Sequence, residues 1–332
     1  MRVIAGDLGG TKTTLRVAEV GARAHPGHRV VCERTYASRS FKGFAALLAD
    51  FLAGVGATTG SAAQSACFGV PGPVQGTRAR TTNLPWSIDA REIAREFSIR
   101  HVCLINDFQA LGYGVEMLDP ADLVTLQPGR ARPGAPRALL GAGTGLGTAL
   151  LVPCGERYEV LPSEGGHVDF APTDEVQMAL LRELLARFGV VSYERVLSGP
   201  GLVLIDGFLR RRAGASGLRE SPPEAAAAAI SQAAIRGEDP IAAEALDVFV
   251  HIYGAQAGNL ALTTLATGGV YIAGGIAPKI IDKLTDGQFV QAFRNKGPMR
   301  SLLECVPVHV IVNVTAPLLG AAAVAARALE SP

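Results

Sequence analysis

Apolar and polar positions alternate through RVIAGDL (2–8) and again through TTLRVAEV (13–20), where Leu15, Val17 and Val20 are spaced by polar residues. A period of two predicts a pair of strands, and the short glycine-rich stretch between them predicts a turn. The strand signal recurs at HRVVCERTYA (28–37), QSACFGV (64–70) and HVCLIND (101–107). A helical spacing at FKGFAALLADFLAGVG (41–56) separates the third from the fourth. These elements predict a mixed sheet flanked by helices. After a Pro, Gly and Arg-rich segment at 127–136, expected to be an exposed loop with solvated arginines, RALLGAGTGLGTALLVP (137–153) repeats the opening pattern of strand, glycine turn and strand.

The second half reads as helical. Ser221 with Glu224 is expected to form a capping box for PPEAAAAAISQAAIRG, and Asp239-Pro240 to start a longer apolar helix running toward LALTTLAT. Arg210, Arg211 and Arg212 are expected to be a solvated helix end, where positive charge suits the helix dipole. A third glycine pair, Gly274-Gly275, closes the apolar strand GGVYIAGGIAP, and LLGAAAVAARALE (318–330) is a small-residue helix suited to close packing on a sheet.

Composition narrows the class. The 332 residues carry 31 Lys+Arg against 30 Asp+Glu, a net charge of +1, so no excess charge draws the chain to nucleic acid or an anionic membrane. A small molecule is the expected partner. Hydrophobic content of 48% with 39 glycines and 6% aromatics fits an α/β protein with many tight turns. The 5 cysteines are widely spaced and never form C-x-x-C, which reads as buried free thiols in a reducing cytosol. The opening MRVIAGD meets an acid too early for a signal peptide, and no run reaches the ~18 apolar residues of a membrane span.

The glycine turns offer backbone N–H groups to phosphate, with a plain hairpin turn as the equally weighted alternative. AGDLGGTKTTL (5–15) has neither the P-loop spacing nor a helix after its glycines, and GAGTGLG (141–147) puts Leu146 or Thr148 where a dinucleotide fingerprint needs glycine. Asn106-Asp107 stands at a strand C-terminus, where open α/β sheets present ligand groups; an Asx turn or helix cap is the alternative. Glu164 and His167 flank a glycine pair without the spacing of a zinc helix, and Glu194 precedes a Pro-Gly turn, with a lone turn histidine and a helix-end carboxylate as their structural readings. Phosphate turns together with carboxylate, amide and imidazole groups for hydroxyls make the inventory of a sugar kinase, which works by positioning and charge neutralisation.

The set GDLGGT, INDF, GAGTGLG, EGGHVDFAP, ERVLSGPGL and IAGGI, in this order along nearly the whole chain, resembles the bacterial glucokinases of the hexokinase superfamily. The resemblance implies a two-domain actin-like ATPase (ribonuclease H-like) α/β fold with a sugar/ATP cleft: a smaller domain of residues 1–117 plus 313–332 and a larger one of 118–312. It implies a cytoplasmic, homodimeric glycolytic enzyme that uses ATP and Mg²⁺ to phosphorylate the 6-hydroxyl of glucose. Asp107 would be the general base, and Asn106, Glu164, His167 and Glu194 would bind the other hydroxyls. The nucleotide would meet Gly6, Asp7, Leu8, Gly9, Gly10 and Thr11, with Gly9 to Thr11 on phosphate and Asp7 near Mg²⁺ through water. Thr144 and Gly145 would contact phosphates, and Gly274 and Gly275 the adenosine. Repressor/kinase-family sugar kinases share the D-x-GGTK start, but their cysteine-rich zinc motif is missing from FAPTDEVQMALL, and no helix-turn-helix fits before the first glycine turn. A kinase of another hexose or amino sugar, or a binding protein without turnover, are the alternative functions.

Overall fold

The computed structural model describes residues 1–21, 29–56, 63–81, 84–215 and 222–330. The chain divides into two compact units, Met1–Asp122 with Asn313–Pro332, and Leu123–Val312. Each is built on one main sheet.

In the first unit the strands β1 (Arg2–Leu8), β2 (Lys12–Glu19), β3 (Arg29–Ala37), β4 (Ser65–Val70) and β5 (His101–Asn106) lie in the order β3-β2-β1-β4-β5. β1 pairs antiparallel with β2, placing Leu8 opposite Thr13, and runs parallel to β4, with Asp7 opposite Gly69. β4 in turn runs parallel to β5, with Gly69 opposite Ile105. Ile4, Leu15, Val17 and Phe68 on one face pack with Phe44, Leu47, Leu48 and Phe51 of the helix Phe44–Val55. The C-terminal helix Ala316–Arg327 lies against β1, β4 and the helix Asp107–Gly114. Small residues make that approach possible, since a Cβ on Gly320 would lie 1.8 Å from the Ala110 carbonyl oxygen and one on Gly114 2.2 Å from that of Ala316.

The second unit repeats the plan. Strands β6 (Leu123–Gln127), β7 (Arg137–Ala142), β8 (Leu146–Cys154), β9 (Arg157–Ser163), β10 (Gly269–Ala273) and β11 (Val308–Ile311) are ordered β9-β8-β7-β10-β11-β6. Again an antiparallel hairpin, β7 with β8, leads into a parallel neighbour, β10. The 25-residue helix Pro240–Thr264 and the helices Gly199–Arg212 and Pro223–Ile235 share the core of this unit. Asp239 caps the long helix by accepting from the Ile241 and Ala242 amides.

Two sequence expectations need revision. Arg210 is not a solvated helix end: it is partly buried and ion-paired with Asp206, one turn back, and with Asp239. Arg211 pairs with Glu183, so of the three arginines the first two are engaged. Ser221 of the expected capping box lies outside the described residues, and Glu224 turns its carboxylate toward Thr144. No described helix is long and apolar enough to cross a membrane.

Candidate active site

The carbonyl of Gly9, at the first glycine turn, accepts the Ser38 hydroxyl at 2.7 Å, and its N–H donates to the Lys12 carbonyl at 2.9 Å. Ser38 is fully buried at the end of β3 and also meets the Thr13 hydroxyl at 2.9 Å. Gly9 must be glycine because a Cβ would meet the Lys12 carbonyl oxygen at 2.7 Å. Gly6 and Leu8 are buried, with Phe68 and Leu15 closing over Gly6, so both support the turn from beneath. Gly10 and Thr11 form its rim.

The second turn is built alike. The Gly143 N–H donates to the Gly145 carbonyl at 2.8 Å, and the Gly143 carbonyl accepts the Gly199 amide at 2.8 Å. In both turns an outside donor holds the carbonyl of the leading glycine and leaves the following residues as the rim. Thr144 is exposed and donates its hydroxyl to Glu224 at 3.1 Å. At the end of β10, Gly274 has φ +84° and sits so close to Ala142 that a Cβ would lie 2.3 Å from its carbonyl oxygen, whereas Gly275 faces open space. Tyr253, buried in the long helix, ties the two strand ends together: its hydroxyl accepts the Ala142 amide at 3.1 Å and donates to the Ala273 carbonyl at 3.2 Å.

Asp7 and Asp107 stand at the C-terminal ends of β1 and β5, on either side of β4 and its Gly69. Asn106 caps the helix Asp107–Gly114 by accepting from the amides of Phe108 (2.9 Å) and Gln109 (3.3 Å), and its Nδ2 donates to the Gly72 carbonyl. The Asx cap anticipated from sequence is therefore formed, and it fixes Asp107 as the first residue of the helix. Asp107 accepts the Phe108 amide at 2.8 Å. Burial holds its carboxyl above the ordinary aspartate range, opposed by backbone hydrogen bonds from Phe108 and its own amide. Asp7 is pushed up to about 6, chiefly by burial and further by the charge of Asp107. No described basic side chain pairs with either, so the two acids influence each other with no described cation to balance them. That arrangement fits a divalent cation, because Mg²⁺ is held by one or two carboxylates together with substrate phosphates.

Glu164, His167 and Glu194 come together in the second unit. Glu164 follows β9, and the turn Gly165–His167 lies flush on β8; a Cβ on Gly166 would be 2.1 Å from the Leu146 carbonyl oxygen. His167 Nε2 lies 3.9 Å from Glu164 Oε2, and its Nδ1 3.9 Å from Glu194 Oε1. The other oxygen of Glu194 accepts the Leu146 amide at 2.9 Å, immediately after the second glycine turn. The two segments are laced by Phe170 N–H to the Val191 carbonyl and Tyr193 N–H to the Val168 carbonyl, each 2.9 Å. Phe170 and Tyr193 add an edge-to-face ring contact at 5.6 Å. Sequence reading missed Ser38, Tyr193 and Tyr253. A buried serine and two core tyrosines carry no local signal, because their partners are distant in the chain.

Comparison with known proteins agrees with these features. The family model described as Glucokinase matches residues 4–328. A glucokinase of a Nostoc species is 45% identical, the alignment covering 98% of this chain and 99% of the relative. Among solved structures, a glucokinase from an Antarctic psychrotroph superposes with a TM-score of 0.86 at 31% identity, covering 98% of this chain and 99% of that one. A ROK family glucokinase from Streptomyces griseus, solved with glucose and AMPPNP, has a TM-score of 0.61 at 20% identity over 98% and 100% of the two chains.

Proposed function

The chain belongs to the glucokinase family, and from that premise we propose how its residues carry out ATP-dependent phosphorylation of glucose, with Asp107 as general base at the 6-hydroxyl. The observation that carries this reading is the position of Asp107: first in its helix, half-buried and with no basic partner among the described residues, so that its carboxylate is available to a substrate proton. As the glucose 6-oxygen bonds to the γ-phosphorus and the bond to ADP breaks, the hydroxyl proton passes to Asp107. Burial supports this role, because a raised pKa brings the carboxylate closer to the operating pH and makes it a better proton acceptor.

The glycine turns supply the electrostatic part. Gly9, Gly10 and Thr11, and Thr144 with Gly145, present backbone N–H groups to the phosphates, and Gly274 and Gly275 lie against the adenosine. Gly6 and Leu8 shape the first turn. Asp7 is the residue to hold Mg²⁺ through water; when bound, the ion neutralises charge developing on the transferring phosphates. The Streptomyces griseus glucokinase of the same fold was solved with AMPPNP, which supports a nucleotide as a ligand. Asn106, Glu164, His167 and Glu194 bind the remaining glucose hydroxyls, since carboxylates accept hydroxyl protons in fixed directions and so encode stereochemistry. The distances of 3.9 Å around His167 leave the three groups unbonded to one another, as a site awaiting hydroxyls would be.

The same reading carries a homodimer, a place in glycolysis and a cytosolic location. The 5 cysteines are free, and although Cys154 and Cys305 are exposed where burial was expected of all of them, free thiols fit a reducing compartment. The test is ADP release with MgATP against a panel of hexoses and amino sugars, with the product trapped by a dehydrogenase specific for the 6-phosphate. Glucose-dependent release that feeds the trap supports the reading. Release with an N-acylated amino sugar and not with glucose overturns it.

A further inference from the structure

The ammonium of Lys296 donates to Asn259 Oδ1 at 2.6 Å. Lys296 follows the helix Gln288–Arg294, and its Cε lies over Gly258, where a Cβ would come within 2.9 Å. Its charge is half-buried, and burial depresses its pKa. No described acidic side chain pairs with it. A half-buried ammonium held only by an amide oxygen is costly to the fold, which points to a task for it.

The task follows from hydrogen-bond chemistry. Lys can only donate, so the Asn259 atom facing it must be the oxygen, and the amide nitrogen must point the other way. That nitrogen donates to the Tyr193 hydroxyl at 2.9 Å and to Gln256 Oε1 at 3.1 Å. The Tyr193 N–H donates to the Val168 carbonyl at 2.9 Å, and its ring meets that of Phe170 edge to face. Tyr193 is thereby tied to the segment that follows His167, and it is the residue immediately before Glu194. Without Lys296 nothing fixes which way the Asn259 amide faces: turned by half a turn, it presents its oxygen to Tyr193, and the phenol must then swing its hydrogen round and donate instead of accepting.

We propose that Lys296 and Asn259 are positioning residues for glucose, which orient Tyr193 and through it hold Glu194 and His167 at the spacing the sugar hydroxyls need. The proposal rests on the reading of His167 and Glu194 as sugar ligands. Failure of that reading is visible separately, as His167→Ala and Glu194→Ala variants whose glucose KM matches the wild type.

The experiment is steady-state kinetics of Lys296→Met, Lys296→Arg, Asn259→Asp and Tyr193→Phe in the full chain, with melting temperatures alongside. Loss of a single orienting hydrogen bond is expected to raise the glucose KM about 5- to 20-fold in Lys296→Met and Tyr193→Phe, with the ATP KM within about 2-fold of wild type. Lys296→Arg keeps a donor and restores most of the difference. Asn259→Asp is the control that keeps the link, because the new carboxylate strengthens the pair with Lys296 and accepts the Tyr193 hydroxyl. It is expected to keep or raise the melting temperature and to hold the glucose KM near the wild-type value. A glucose KM unchanged in Lys296→Met and Tyr193→Phe overturns the proposal, as does an equal rise in both substrates' KM.

Discussion

Glu194 accepts the backbone amide of Leu146 at 2.9 Å with one carboxylate oxygen and turns the other toward His167. A Cβ on Gly145 would lie 2.5 Å from the oxygen that holds Leu146, so the turn and the carboxylate are in direct contact. One side chain thus touches the proposed sugar cluster and the proposed phosphate turn. Binding at either place orders the same group, and such coupling must act equally in both directions.

For that reason Glu194→Gln is expected to weaken both substrates and to uncouple them. In the wild type, saturating glucose should tighten AMPPNP binding by roughly 5-fold or more, the scale of a typical coupling energy. In the variant the ratio of the two nucleotide affinities should fall toward one. Calorimetric titration of AMPPNP with and without glucose reads it directly; an undiminished ratio in Glu194→Gln removes the carboxylate from the coupling.

The two strand-turn-strand units were legible from sequence because period-two alternation and glycine pairs are local signals, and the cap at Asn106 was legible because Asx capping acts within three residues. What was not legible depends on contacts between distant segments. Arg210 sat at a predicted helix end, and its partner Asp206 one turn back was in view, but Asp239 belongs to another helix. Ser38, just past the edge strand β3, meets Gly9 in the turn between β1 and β2, and Tyr253 and Ala142 meet across the core of the second unit. Strand β11 was missed in VPVHVIV although Val306, Val308, Val310 and Val312 alternate, since the proline at its head demotes such a run as a strand signal.

Asp107→Asn keeps the cap and the shape of the site but removes the proton acceptor. Turnover should fall by roughly 10² to 10⁴ with glucose binding retained. In the wild-type enzyme the base must be ionised, and burial raises its pKa. The acid limb of kcat/KM should therefore lie at higher pH than an ordinary aspartate would give. Near wild-type turnover in the variant, measured as initial rates under saturating substrates, excludes this role.

Ser38→Ala removes the hydroxyl that holds the Gly9 carbonyl. The carbonyl loses its buried donor, so stability should drop by about 1–3 kcal/mol. The first glycine turn, the proposed phosphate site, should loosen as well, raising the ATP KM several-fold while the glucose KM stays put. Denaturant unfolding and kinetics on the same preparation check both parts, and equal effects on the two substrates would count against a local action at the turn.

The last test concerns the charge on Asp7, whose pKa is about 6 in the folded chain against an ordinary value of 3.8. A carboxyl that holds its proton more tightly when folded makes the native state bind more protons than the unfolded state between those two values, so stability falls as pH rises through that window. The penalty is complete above about 6 and absent below 3.8. Asp7→Asn removes it, and should stabilise the nucleotide-free protein at pH 7.5 by about 1–3 kcal/mol, since each pKa unit corresponds to ~1.4 kcal/mol, with little effect near pH 3.8. Because Asp107 contributes to the shift, Asp107→Asn should lower the Asp7 pKa and recover part of the same stability. Mg²⁺ with AMPPNP should reverse the ranking at pH 7.5, protecting the wild type more than Asp7→Asn, if Asp7 holds the ion. Thermal melts at the two pH values with and without MgAMPPNP decide it: equal protection of both proteins takes Asp7 out of the metal site, and equal melting without ligand at pH 7.5 shows that its charge carries no cost.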